Sequence, residues 1–191
     1  DGEVDHRVLL GIGVIGGDEE ARLSFAGALS AVPDAEVPAL VMDIGGGSTE
    51  ISVGTIDEGV EWVRSWPIGS GLADEFITGD PPSASEIRRI RDVIDETFEG
   101  VEIDRPDQVV AVGGSATSLK RLTGVVLEYE TLERAIRILC GEDSQAVSRQ
   151  FELDPERVRI LSAGALILEK VSELLGQPLQ IGKGGIREGI I

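Results

Sequence analysis

Cysteine, histidine, methionine and tyrosine each occur once in this 191-residue chain, and lysine only three times. A single cysteine, Cys140, excludes an intramolecular disulfide and a zinc site built on thiolates, and it fits a reducing compartment. The lone histidine, His6, has no partner nearby in sequence and reads as a surface residue. Aromatic residues make up 4% of the chain against 41% hydrophobic residues, so the core must be aliphatic. No apolar run approaches the roughly 18 residues that a membrane-spanning helix needs. The first residues, DGEVDHRV, have neither the basic start nor the apolar middle of a secretion signal. The cytoplasm is therefore the expected location. Bases are scarce: 17 against 35 acids, a formal net charge of −18. Nucleic-acid affinity rests on phosphate neutralisation, which this balance argues against. Any other polyanionic ligand would need compensation from arginines or a metal.

What is present centres on Ala39 to Thr55, ALVMDIGGGSTEISVGT. An apolar run ends on Asp43, three glycines follow, and a second alternating run begins near Glu50. This spacing predicts strand, tight turn and antiparallel strand. Gly45, Gly46 and Gly47 can take positive φ and turn several N–H groups toward one anion. An acid at each end of the turn, Asp43 and Glu50, would come close enough to serve one hard cation. Mg²⁺ takes such oxygen ligands, commonly one or two carboxylates with phosphate oxygens and water. The plainer alternative is a glycine-rich turn between two solvated acids.

Val8 to Ile15 reads as a strand, and Gly11, Gly13 and Gly16 spell G-x-G-x-x-G. A dinucleotide fingerprint would need a helix opening at the last glycine. Strand character at Val14-Ile15 and a helix start at Asp18 argue against it. From Asp18 a helix runs to about Ala28, with Glu19 and Glu20 in its first turn, where acids complement the helix dipole. Val60 to Trp66 forms a hairpin with Ile51 to Thr55, giving a three-stranded meander. Ser83 to Gly100 is a capped helix with an apolar stripe at Ile87, Ile90, Ile94 and Phe98. Gln108 to Val112 is a buried strand running into Gly113, Gly114 and Ser115, with a helix from about Ser115. That is either a second anion turn at a helix N-terminus or close strand-to-helix packing. Helices are expected at Thr131 to Leu139 and Ser144 to Phe151. A long one follows from Asp154-Pro155 to Leu175, and a strand at Pro178 to Ile181.

Four segments, GGDEEARLSF (16–25), VMDIGGGSTE (41–50), AVGGSAT (111–117) and GGIREG (184–189), resemble in order and spacing the Ppx/GppA family of exopolyphosphatases and guanosine pentaphosphate phosphatases. The resemblance runs from about Gly16 to the end. It implies an α/β fold: a ribonuclease-H-like domain of the actin-like ATPase superfamily, with a five-stranded mixed sheet and helices on both faces. Members have two such domains around a phosphate cleft, and the first opens on an Asp-Gly-Ser-Asn loop not found in this sequence. Residues 38–191 are thus expected to be the second domain, and 1–37 the connecting segment; the N-terminal actin-like domain would be a missing partner. The resemblance assigns Glu20 as general base, Asp43 and Glu50 to Mg²⁺, and Gly45, Gly46, Gly47, Ser48, Gly113, Gly114 and Ser115 to phosphate. Lys183 stands where the family carries an acid. Arg22 and Arg187 are candidates to offset phosphate charge. The implied reaction is Mg²⁺-assisted hydrolysis of terminal phosphoanhydrides of inorganic polyphosphate, with guanosine pentaphosphate as the near alternative. A phosphate-sensing module without chemistry, or an actin-like ATPase or sugar kinase, are the rivals. An unpartnered domain face would also favour self-association, for example as a homodimer.

Overall fold

The computed structural model describes residues 16–30 and 38–190; the strand expected at Val8–Ile15, with Gly11 and Gly13, lies outside them, as does His6. The described chain begins with helix α1 (Gly17–Ser30) and continues through strands β1 (Ala39–Ile44), β2 (Thr49–Thr55) and β3 (Gly59–Trp66). Two helices follow, α2 (Leu72–Phe76) and α3 (Ala84–Thr97), then β4 (Gln108–Val112), α4 (Gly113–Thr123) and β5 (Val126–Leu127). Helices α5 (Tyr129–Gly141), α6 (Ser144–Phe151) and α7 (Pro155–Leu175) lead to β6 (Leu179–Ile181) and α8 (Ile186–Gly189). The strands form one sheet in the order β3-β2-β1-β4-β6-β5, parallel at β1–β4 and β4–β6 and antiparallel elsewhere.

The sheet has six strands where five were expected. The extra one, β5, pairs only Val126 and Leu127 with β6 at the edge. Two residues are too few for a period of two to register in sequence. The mixed sheet with a helix-bearing layer on each face is as expected.

Strand alternation divides the core into two layers. Leu40, Met42 and Ile44 of β1, with Val109 and Ala111 of β4, face the large layer made with α3, α4, α5 and α7. Ala39 and Val41, with Val110 and Val112, face the other way, onto Phe25, Ala28 and Leu29 of α1. Asp43 continues the second series, so the pleat alone delivers it to the side where α1 lies. Glu50 is its direct cross-strand partner in the antiparallel ladder and therefore shares that face.

Helix α7 is the pillar of the large layer, with small residues Ser162, Ala163, Gly164 and Ala165 all buried. Its start is fixed by Asp154, whose carboxylate accepts the N–H groups of Glu156 and Arg157, and by Pro155 in the first turn. Helix α3 begins with a capping box in which Ser83 and Glu86 satisfy each other's backbone N–H. A cap of this kind stabilises by about 1 kcal/mol. Exposed large apolar side chains are spread over the β2–β3 hairpin (Ile56, Trp62), the β5 edge (Val125, Tyr129), the end of α7 (Leu174) and Ile190. Among the described residues no helix is long and apolar enough to cross a membrane.

The segment 184–189 meets α1 backbone to backbone. A Cβ on Gly27 would overlap the carbonyl oxygen of Gly185, one on Gly184 the carbonyl oxygen of Gly27, and one on Gly189 the carbonyl oxygen of Leu23. Two of the three GGIREG glycines, Gly184 and Gly189, are thus explained by a crossing too close for any side chain; a Cβ on Gly185 would meet only the Glu188 carboxylate at 3.9 Å.

Candidate functional site

Strand β1 ends at Asp43-Ile44 and turns through Gly45 to Ser48, closed by Gly45 N–H donating to the Ser48 carbonyl at 2.9 Å. None of Gly45, Gly46 and Gly47 has positive φ, against expectation. Close approach explains two of the neighbouring glycines instead. Ser70 N–H donates to the Gly45 carbonyl at 3.0 Å and Gly71 N–H to the Gly46 carbonyl at 2.7 Å, while a Cβ on Gly69 would lie 2.6 Å from the Gly46 oxygen. The turn is therefore held from behind by its carbonyls. Its Gly46, Gly47 and Ser48 N–H groups donate to no acceptor among the described residues.

The second glycine turn lies beside the first because β4 pairs in parallel with β1, with Val112 opposite Asp43. Here positive φ is required: Gly113 sits at φ 87. A Cβ on it would overlap the Asp43 carboxylate and lie 2.8 Å from the Ile44 carbonyl oxygen. Helix α4 starts at Gly113, two residues before the expected Ser115. Ser115 itself is buried, its side chain packed where a Cβ on Gly164 of α7 would fall, so it offers the anion turn only its backbone.

These turns border a cleft of about 510 Å³. Of the residues named from sequence, Glu20, Asp43, Gly45, Gly113 and Gly114 line it, whereas Gly46, Gly47, Ser48, Glu50 and Ser115 stand outside its wall. Arg187 lines it too; Arg22 does not, and its guanidinium donates to the Val60 carbonyl at 3.3 Å instead. Arg157 and Lys183 complete the cationic side. Three acids (Glu20, Asp43, Glu188) and three bases (Arg157, Lys183, Arg187) thus line one cleft of an otherwise acidic protein. A neighbouring concavity of about 650 Å³ includes Asp74, Asp154 and Arg159 and shares Arg157. It has no glycine turn, and Asp154 is committed there to capping α7.

Each acid of the β1–β2 pair is gripped by a serine. The Ser24 hydroxyl donates to Asp43 Oδ2 at 2.6 Å, and the Ser65 hydroxyl to Glu50 Oε1 at 2.8 Å. Burial pushes the Asp43 carboxyl up from its ordinary range, and Ser24 pulls partly against it. Burial likewise raises Glu50, Ser48 and Ser65 oppose it, and the charges of Glu20 and Asp43 raise it further. Glu50 thus feels the charges of both Glu20 and Asp43. Cys140 is elsewhere, half-buried, and burial pushes its thiol up to about 11, so it is no nucleophile at neutral pH.

The donor set suits a hard divalent cation. Two crowded, desolvated carboxylates lie in register, and glycine at 113 leaves open the space beside Asp43 that a Cβ would fill. Among the described residues no three His, Cys, Asp or Glu side chains form a metal cage. The protein would thus supply only the one or two carboxylates that Mg²⁺ commonly accepts, with the rest from ligand and water.

Ser24, Ser65 and Arg157 were not singled out from sequence. Ser24 is legible in retrospect, being one helical turn after Glu20 on the same face of α1. Arg157 carries no such signal. Its guanidinium lies over Gly114, with Nη1 3.0 Å from where a Cβ would stand, only because α4 packs on α7.

A mixed sheet whose parallel central strands β1 and β4 each run into a glycine turn, with helices on both faces, is the architecture of a ribonuclease-H-like, actin-like domain. The family model of the Ppx/GppA phosphatase family matches residues 3–191, and the chain belongs to that family. It is 27% identical over 201 residues to exopolyphosphatase 2 of Mycobacterium tuberculosis, covering 93% of this chain and 62% of that protein. To exopolyphosphatase 1 of Mycobacterium leprae it is 29% identical over 196 residues, covering 93% and 58%. The Aquifex aeolicus PPX-GPPA enzyme superposes with a TM-score of 0.81 at 28% identity, covering 92% of this chain and 63% of that one. The chain thus spans about three fifths of the length of these relatives.

Proposed function

We propose that this chain is the second actin-like domain, with its connecting segment, of an exopolyphosphatase: a hydrolase that removes orthophosphate from the ends of inorganic polyphosphate. The observation that carries the reading is the convergence of Glu20, Asp43 and two glycine turns on one cleft that also holds three bases. The names of the relatives favour polyphosphate over guanosine pentaphosphate as the substrate. A preceding actin-like domain would close the other side of the cleft.

In this reading the terminal phosphate lies between the two turns. The first N–H groups of α4, beginning at Gly113 and Gly114, hold its non-bridging oxygens where they line the cleft, aided by the α4 dipole, and the free N–H groups of Gly46 to Ser48 take up oxygens that project past Gly45, beyond the cleft wall. Arg157, Lys183 and Arg187 offset the charge of the following phosphates. Glu20 orients a water in line with the scissile bond and takes its proton as the new P–O bond forms. The bridging P–O bond breaks, and orthophosphate leaves with a chain one phosphate shorter. Asp43 and Glu50 would hold Mg²⁺, which when bound neutralises phosphate charge.

The test is phosphate release from long-chain polyphosphate by the full-length parent and its Glu20→Gln variant. General-base catalysis contributes about 10²–10⁴-fold, so turnover should fall by that order while polyphosphate binding persists. Undiminished release by Glu20→Gln would remove Glu20 as base. Binding without release by the parent would make the protein a sensing module.

A further inference from the structure

Resting on the reading of Asp43 and Glu50 as the cation-holding pair, we infer that Ser24 is a positioning residue, assigning one oxygen of Asp43 to the protein and the other to the cation. The Ser24 side chain is 1% exposed, and its hydroxyl donates to Asp43 Oδ2 at 2.6 Å. Charge-assisted bonds of this length are the strong ones, and a buried hydroxyl has no water to exchange with. One of the two lone pairs of Oδ2 is thereby taken by the protein. Oδ1 is the oxygen toward the space left free by glycine at 113, on the cleft side. Asp43 is thus presented to the cleft through a single oxygen.

Ser24 also lies one helical turn beyond Glu20 on α1. The same bond therefore joins the helix carrying the proposed base to the strand carrying the proposed cation ligand. Ser65 repeats the arrangement on the other acid: it holds Glu50 Oε1, and its Oγ lies 2.7 Å from where a Cβ on Gly17 of α1 would stand. Asp43 is in this way tied to α1 through Ser24, whereas Ser65, on β3, bonds Glu50 and packs closely against Gly17 at the start of α1.

The experiment titrates Mn²⁺, as a paramagnetic stand-in, into the ¹⁵N-labelled chain. The readouts are amide broadening at residues 17–24 and 44–50 and free Mn²⁺ by electron paramagnetic resonance. Wild type should broaden first at these residues. Loss of a hydrogen bond behind a metal ligand typically weakens metal affinity about 10–100-fold. Ser24→Ala should therefore move the broadening midpoint roughly tenfold or more to higher Mn²⁺. Ser65→Ala should move it in the same direction, and Ser24→Thr, which keeps the hydroxyl, should restore much of the loss. A role confined to packing would shift the melting temperature of Ser24→Ala and leave the Mn²⁺ midpoint where it was. An unchanged midpoint in folded Ser24→Ala overturns the inference. A wild-type chain with no broadening centred on these residues overturns the cation assignment, and this inference with it.

Discussion

Replacing Gly27 by alanine sets two physical expectations against each other. Gly27 lies inside α1, where alanine is favoured over glycine by about 1 kcal/mol. From helix propensity alone the variant should be more stable. The structure reverses the sign. The added methyl would overlap the carbonyl oxygen of Gly185 and lie 2.8 Å from the Gly189 nitrogen, and both obstacles are backbone. No rotamer change relieves such a contact, so α1 and the 184–189 segment must move apart. Overpacking costs about 1–3 kcal/mol, and backbone obstacles belong at the upper end. The net loss is about 2 kcal/mol after the propensity gain, which for a domain of this size lowers the melting temperature by roughly 4–8 °C. Urea and thermal unfolding followed by far-ultraviolet circular dichroism measure it. Gly141→Ala is the control: Gly141 is the last residue of α5, with nothing near its absent Cβ, and it should hold or slightly raise stability. A Gly27→Ala protein as stable as the parent would refute the close crossing.

Gly113→Ala should be worse placed still. A positive φ costs a non-glycine residue about 1–2 kcal/mol, and the methyl collides with Asp43. We expect lowered stability and a weaker local response to Mn²⁺, read by melting and by amide broadening. Arg157→Met keeps the length of the side chain and removes its charge; in the full-length parent it should raise KM for polyphosphate several-fold, with a smaller change in kcat. Equal KM values would detach Arg157 from the phosphate path. The acid pair also predicts a pH dependence. Burial raises Asp43 and Glu50 above their ordinary values of 3.8 and 4.5, so their contribution to stability is fully present below those values and is lost as pH rises through the raised ones. Mg²⁺ should offset that loss, raising the melting temperature more at pH 8 than at pH 5. An increment independent of pH, or one that survives in Asp43→Asn, would count against the pair.

The fold was legible where periodicity runs long. The α3 stripe, the Asp154-Pro155 start of α7 and the meander around Asp43 are local signals, and their elements stand within a few residues of expectation. The two-residue β5 carries no period, and the α4 start shifted because Gly113, at positive φ, is already its first helical residue. At the site, sequence located the two turns and the acids but misjudged what the glycines do. Three adjacent glycines suggested positive φ, whereas the turn owes its shape to carbonyls held by the 69–71 segment. Arg157 was invisible because its place depends on one helix lying across another. That the Ser115 side chain turns away into the space left by Gly164 was equally invisible, since nothing local shows that room.

The glycine crossing has a bearing on when the site can form. Glu20 belongs to a helix translated before every strand of the described sheet, yet part of that helix's seat is residues 184–189, made about 160 residues later. At roughly 5–20 residues per second, a ribosome separates the two by about ten seconds or more. During that interval Leu23 and Gly27 have no closing segment, and the cleft lacks Lys183 and Arg187. The nascent chain thus has the β1–β2–β3 meander long before the cleft, whereas β6 and the GGIREG segment that latches α1 are made almost together.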